Sequence, residues 1–165
     1  RLRGRLRLAH GRAELPTAGS IDSQSVKAAD TVGAASRGFD AGKKINGRKR
    51  HIAVDTLGLV LAVVVTAASV QDRDGAYRLL ALLRERFSTI ILVWADGGYA
   101  GRLVSWAHQV LALTLTIVKR SEDTTGFIVL PRRWVVERTF GWLLRYRRLV
   151  RDYERRSEHH EAMVL

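Results

Sequence analysis

The chain has 165 residues, with 28 Lys or Arg against 16 Asp or Glu and a formal charge of +12, and it contains no cysteine. That length and a hydrophobic content of 47% fit one domain with a real core. The missing cysteine excludes disulfide scaffolds, thiol catalysis and cysteine-ligated zinc, and it accords with a reducing cytoplasm. The longest apolar run, Leu57 to Ala68, is broken by Gly58 and Thr66 and falls far short of a membrane span. The opening alternation of Arg and Leu is no signal peptide. The first residue is Arg and not Met, which reads as a fragment or a downstream reading-frame product.

The charge excess makes a polyanion the expected partner, and its distribution sharpens that expectation. Arg1 to Arg12 holds five Arg, Arg37 to Arg50 holds six Lys/Arg against Asp40, and Arg132 to Arg156 holds nine Arg against three acids. A uniformly solubilising surface would not cluster in this way.

In chain order, residues 1–19 lack a clean period and end in a turn at Pro16, so they read as a basic arm. Ile21 to Lys27 is a strand candidate. Residues 28–48, with Gly33, Gly38, Gly42 and Gly47, read as a flexible basic loop. Lys49 to Thr56 and Leu59 to Ala67 are strands joined at Leu57-Gly58, the second an almost continuous Val/Leu run. Asp72 and Asp74 stand where a helix cap belongs, ahead of a helix over 75–87. Thr89 to Ala95 is a buried strand ending at Asp96-Gly97-Gly98, residues 101–110 read as a helix, and Leu111 to Val118 alternates as a strand does. Pro131 starts a last helix that runs to about Val150. The result is an α/β fold: a five-stranded mixed sheet, its first three strands antiparallel and its last two parallel, with flanking helices.

Three acids stand out. Asp22 lies inside a strand, where an aspartate is disfavoured. Asp96 is presented at a strand's carboxyl end, the edge at which ligands gather in α/β sheets. If those strands are neighbours, a spacing of about 4.8 Å lets both carboxylates converge on shared cations. Glu137, on the last helix, shares a face with Arg133, Trp134, Phe140, Gly141 and Leu144 and is expected to point towards the sheet. Each also has a plain structural reading, for Glu137 a helical salt bridge with Arg133.

The run Ile21-Asp22-Ser23-Gln24-Ser25-Val26-Lys27, the stretch from Gly42 to Gly58, Asp96-Gly97-Gly98-Tyr99, the stretch from Arg132 to Leu143 and Arg145-Tyr146-Arg147-Arg148-Leu149 stand in this order. Together they resemble the motifs of bacterial insertion-sequence transposases of the DDE class, from about Ser20 to Glu154. The resemblance implies a ribonuclease-H-like fold and a catalytic triad of Asp22, Asp96 and Glu137 holding two Mg²⁺ ions, with Mn²⁺ as a possible substitute. It also implies cleavage and strand transfer of double-stranded DNA, at transposon ends and target, by a homo-oligomer in the bacterial cytoplasm, associated with the nucleoid and not with a membrane. The family's third motif carries a Tyr-Arg-Glu-Lys signature. Arg133 and Glu137 match it, Leu130 stands at the Tyr and Leu144 at the Lys, with Arg145 beside it. The division that follows is a basic arm over 1–19, a catalytic domain over 20–154 and a tail over 155–165, with the family's upstream DNA-recognition region missing. Two other readings use the same residues: a ribonuclease-H-like nuclease without strand transfer, and a non-catalytic DNA-binding remnant.

Lys43, Lys44, Arg48, Lys49 and Arg50 on one side, and Arg133, Arg145, Arg147, Arg148 and Arg151 on the other, are the expected phosphate contacts. Asp55 reads as a surface acid in a turn or as support for the site, His51 as a locally satisfied strand histidine, and Asp72-Arg73-Asp74-Gly75 as a helix cap. Glu158-His159-His160-Glu161 reads as a polar tail. Trp134 and Trp142 read as core, with stacking on a flipped base as their other use.

Overall fold

The computed structural model describes residues 2–118 and 131–165. The sheet is built from β1 (Ala18–Lys27), β2 (Gly38–Asp40), β3 (Ile45–Asp55), β4 (Val60–Ala67), β5 (Leu92–Ala95) and β6 (Thr114–Ile117). The helices are α1 (Leu2–Ala9), α2 (Asp72–Arg86), α3 (Arg102–Leu111), α4 (Pro131–Leu143), α5 (Arg147–Val150) and α6 (Ser157–Val164).

β1 is central. It runs antiparallel to β3, from Gly19↔Asp55 to Lys27↔Gly47, and parallel to β5 on its other side. β6 extends the sheet parallel to β5, and β4 pairs antiparallel with β3 on the edge away from β1. The five expected strands are therefore present as a mixed sheet. A sixth, β2, pairs with the start of β3 inside the stretch read as a loop, through Gly38↔Gly47 and Asp40↔Ile45. Three residues among glycines are too few to carry a period-two pattern, so pairing alone reveals this strand.

The β3–β4 hairpin turns at Gly58, whose φ of +86° suits glycine. The Asp55 carboxylate closes the turn by accepting the N–H groups of Leu57 and Leu59, both at 2.9 Å. Asp55 is also fully buried and ion-paired with Arg7 of α1, at 2.5 Å. It is thus no surface acid. Residues 2–9, read as part of an arm, form a helix held to the hairpin by that pair.

Alternation along the strands divides the core in two. Ile21, Ala53, Leu61 and Val93 pack with Leu79, Leu80, Leu83 of α2 and Leu103, Ala107 of α3. Ile52, Val54, Val63 and Val65 pack on the opposite face with Val136, Phe140, Leu143, Leu149 and Val164. Each fully buried Val, Leu, Ile or Phe side chain among these contributes about 1.5–3 kcal/mol. α2 crosses close above β3: a Cβ on Gly75 would sit 2.2 Å from the His51 ring. Its first residue is Asp72, the capping position is Gln71, and no side chain caps it. Asp72 instead lies 2.8 Å from the Lys49 ammonium.

The last helix breaks after Leu143, where the sequence predicts continuity to Val150. At 100° per residue, Leu149 would lie about 240° round the axis from Leu143 in a straight helix. The turn at Leu144 to Tyr146 lets both enter the same apolar cluster. α4 turns Val136, Thr139, Phe140 and Leu143 inward and leaves Trp134 and Trp142 39% and 41% exposed, so neither Trp is core. The Arg138 guanidinium lies over the Trp142 ring, 4.6 Å from its centroid.

The end of the chain is tied in. Asp152 is fully buried, 3.0 Å from both Arg48 and the His160 ring, so His160 belongs to no loose tail. Glu161 accepts the N–H of Val65 at 2.8 Å, occupying a donor on the edge strand β4. No helix among the described residues is long and apolar enough to cross a membrane.

Candidate active site

The parallel pairing of β1 with β5 brings the first two acids together. Ser20 opposite Trp94 is the last pair between the two strands, and Asp22 and Asp96 each lie two residues beyond it, where strand alternation puts them on the side of Ser20 and Trp94. That face looks towards α4: Ser20 Oγ donates to the carbonyl of Arg132, and the Arg132 guanidinium lies 5.3 Å from the Trp94 ring centroid.

Both carboxylates are oriented by backbone. Asp22 Oδ1 accepts the N–H of Ser23 at 2.7 Å. Asp96 caps the short 3-10 turn Gly97–Tyr99, and its Oδ1 accepts the N–H of Gly98, also at 2.7 Å. Asp22 is half-buried, and burial raises its carboxyl to about 6; the nearby Asp96 charge adds to the rise, against the Ser23 N–H, Arg133 and Lys43. A carboxyl in that state gains from any added positive charge.

Glu137 is drawn in through an intermediary. It lies beside the inward face of α4, 40% exposed, and not on the sheet-facing side expected for it. The Arg133 guanidinium joins the two elements: its Nη2 is 3.2 Å from Glu137 Oε1 and 3.6 Å from Asp96 Oδ2. Among the described residues, no three Asp, Glu, His or Cys side chains come within common reach of a single ion.

A second polar group lies on the other face of the same sheet end. The Lys49 ammonium is 2.8 Å from Asp72 and 3.5 Å from Asp40, and it donates to the Val70 carbonyl at 2.8 Å. Ser25 Oγ donates to Asp40, which together with Lys43 and Lys49 holds that carboxyl below its usual range. The buried Tyr99 hydroxyl, raised by burial and by Asp22 and Asp72, sits beneath. Asp40 and Tyr99 went unnoticed in the sequence. The only signal was Tyr99 closing the Asp96-Gly97-Gly98-Tyr99 motif.

The basic residues separate. Lys43, Lys44, Arg145, Arg147 and Arg148 are exposed, Arg148 pairing with Glu154 at 2.7 Å. Arg151 is half-buried and donates twice to the Ala28 carbonyl. Arg48, Lys49 and Arg50, expected on the phosphate-facing surface, are buried and bonded inside the protein. Arg48 donates to Asp152, Ser36 and the carbonyls of Ser36, Glu154 and Arg155. Arg50 donates to Gln24 and to the Leu149 carbonyl. Leu130 lies outside the described residues, and Leu144 is exposed.

Residues 14–165 match the family model described as the transposase DDE domain. Over 125 residues the chain is 33% identical to a Burkholderia cepacia protein named as a transposase for insertion sequence element IS402; the match covers 72% of this chain and spans 59% of that relative's length. With two acids side by side at the carboxyl edge of a mixed sheet, a third joined to them by an arginine, and a family match over nearly its whole length, the chain belongs to the DDE-domain transposases.

Proposed function

We propose that this chain is the catalytic domain of a DNA transposase, cutting and joining phosphodiesters at the ends of an insertion element with divalent metal ions. The observation that carries the proposal is that Asp22 and Asp96 each follow the last β1–β5 pair by two residues, with Arg133 linking Asp96 to Glu137. The fold reading is ribonuclease-H-like. It is supported by the order β4, β3, β1, β5, β6, antiparallel in the first three strands and parallel in the last two. In this reading 20–154 is the catalytic unit, with α1 and α6 packed against it at either end of the chain.

Asp22, Asp96 and Glu137 are the proposed ligands. Their donors are all carboxylate oxygens, which suit Mg²⁺, with Mn²⁺ as a substitute. Asp22, raised by burial and by its neighbour's charge, fits a role beside a cation. When bound, two such ions would activate the attacking oxygen and stabilise the leaving one. The Ser23 and Gly98 N–H groups hold the two aspartates in place. Exposed Lys43, Lys44, Arg145 and Arg147 offer phosphate contacts that position double-stranded DNA without reading its sequence. Assembly on two transposon ends implies a homo-oligomer.

The test pairs nicking with joining. Asp22→Ala, Asp96→Ala and Glu137→Ala should each abolish Mg²⁺-dependent nicking and the joining of precut ends to a target plasmid, while DNA binding persists. Full nicking by any one variant removes that residue from the site. That no three acids come within common reach of one ion among the described residues favours one other reading, a DNA-binding remnant without activity. Salt-dependent binding with no cleavage in Mg²⁺ or Mn²⁺ would support it.

A further inference from the structure

We infer that Arg133 is an internal counter-ion that occupies the acidic site when metal is absent and must be displaced from Asp96 for a divalent ion to bind, so that metal entry frees a guanidinium for DNA phosphate. The inference rests on the catalytic reading above and assigns one residue of that site a competing role.

The argument concerns particular oxygens. Asp96 Oδ1 is committed to the Gly98 N–H at 2.7 Å, and Oδ2 faces Arg133 Nη2 at 3.6 Å. Neither oxygen is without a positive partner, so an ion joining Asp22 to Asp96 meets Arg133 at Oδ2. The same Nη2 holds Glu137 at 3.2 Å, one helical turn away on α4. One guanidinium thus bridges the two acids that an ion would need in addition to Asp22, and among the described residues no three acids share a site.

A divalent ion outcompetes the guanidinium on charge and by direct ligation. The arginine is not then lost from the site. Its side chain is 25% exposed and tethered to the helix that carries Glu137, and its planar donor fork suits a phosphate. Metal and DNA therefore assist one another through Arg133, and the assistance is reciprocal. Arg86 supplies the contrast: it is an exposed arginine at the end of α2, the opposite end of that helix from Asp72.

The experiment measures Mn²⁺ binding without DNA, from the electron paramagnetic resonance signal of the free ion. Arg133→Ala and Arg133→Gln should each tighten Mn²⁺ binding by about threefold to tenfold, the scale of two partly exposed ion pairs. Arg86→Ala should change it by less than about twofold on the same scale. Tightening that disappears when Asp22 and Asp96 are also replaced by alanine comes from the site and not from a damaged fold. In a second arm, Ca²⁺ should strengthen binding of a short duplex to the parent chain, and Arg133→Ala should lose most of that gain. Unchanged or weaker Mn²⁺ binding in both Arg133 variants overturns the inference alone, provided binding still depends on Asp22 and Asp96. Mn²⁺ binding that survives Asp22→Ala with Asp96→Ala, or its absence from the parent, overturns the catalytic reading as well.

Discussion

Two basic stretches of nearly equal charge meet opposite fates. Arg48, Lys49 and Arg50 lie in β3, inside the sheet, and are buried. Arg145, Arg147 and Arg148 follow the break in the last helix and are exposed. In the first stretch every cation has acceptors waiting: Asp152 and three carbonyls for Arg48, Asp72 and Asp40 for Lys49, Gln24 and a carbonyl for Arg50. Burial still weighs on Arg50, lowering its guanidinium to about 10 despite the nearby Asp152 charge. A run of positive charge is therefore a poor guide to a nucleic-acid surface when it lies on a strand flanked on both sides.

The comparison breaks most visibly at Arg48. Replacing it with alanine leaves the buried Asp152 carboxylate without its guanidinium, at a cost of about 3–5 kcal/mol. Urea denaturation measures that loss, and a cost below about 1 kcal/mol would place Arg48 among ordinary surface arginines. Arg145→Ala with Arg147→Ala lies at the other extreme.

His51, next to these cations in β3, supplies a pH test of the same burial. It is fully buried with its Nε2 3.0 Å from Thr66 Oγ1, and desolvation lowers it to about 4, outweighing the Asp72 charge. The unfolded chain takes up this proton from about pH 6.5 downwards, whereas the folded chain waits until about pH 4. The stability is thus complete above pH 6.5 and is lost as pH falls towards 4, by about 3 kcal/mol if the ring stays fully neutral. The difference between the parent and His51→Gln in denaturation at pH 7 and at pH 4.5 isolates this effect, since other groups, Asp22 included, titrate in both. Equal pH slopes would mean that the ring charges in the folded protein.

The smallest effect on stability belongs to the exposed stretch. Arg145→Ala with Arg147→Ala should alter unfolding by no more than about 0.5 kcal/mol. The pair should instead weaken duplex binding and flatten its dependence on log salt by about one per lost phosphate contact. An unchanged salt slope would remove these two residues from the DNA surface.

Much of the order of elements was legible. The Val/Leu run of β4, the alternation about β6 and the glycines after Asp96 each carry a local signal, and the strand and helix sequence follows from them. The three short-range departures have local reasons. β2 is too brief to show a period, α4 breaks so that Leu143 and Leu149 reach one cluster, and α1 docks through Arg7 on Asp55 and Arg3 on the Val60 carbonyl. The acids were identifiable because an aspartate within a strand and another at a strand's end both need explaining. The network of Lys49, Asp40 and Asp72 was not, because its members are ordinary surface residue types until folding brings them together.

Period, turn chemistry and residue type act between neighbours in the chain, and by themselves they determined the alternation of strands and helices and the identity of the candidate acids. Which charges face water depends on acceptors far away in the chain: Asp152 for Arg48 lies 104 residues on, and Gln24 for Arg50 lies 26 residues back. The same holds for Arg133, whose link to Asp96 exists only because β5 ends opposite α4. Electrostatic partnership depends on distance in space, and only the tertiary structure decides that.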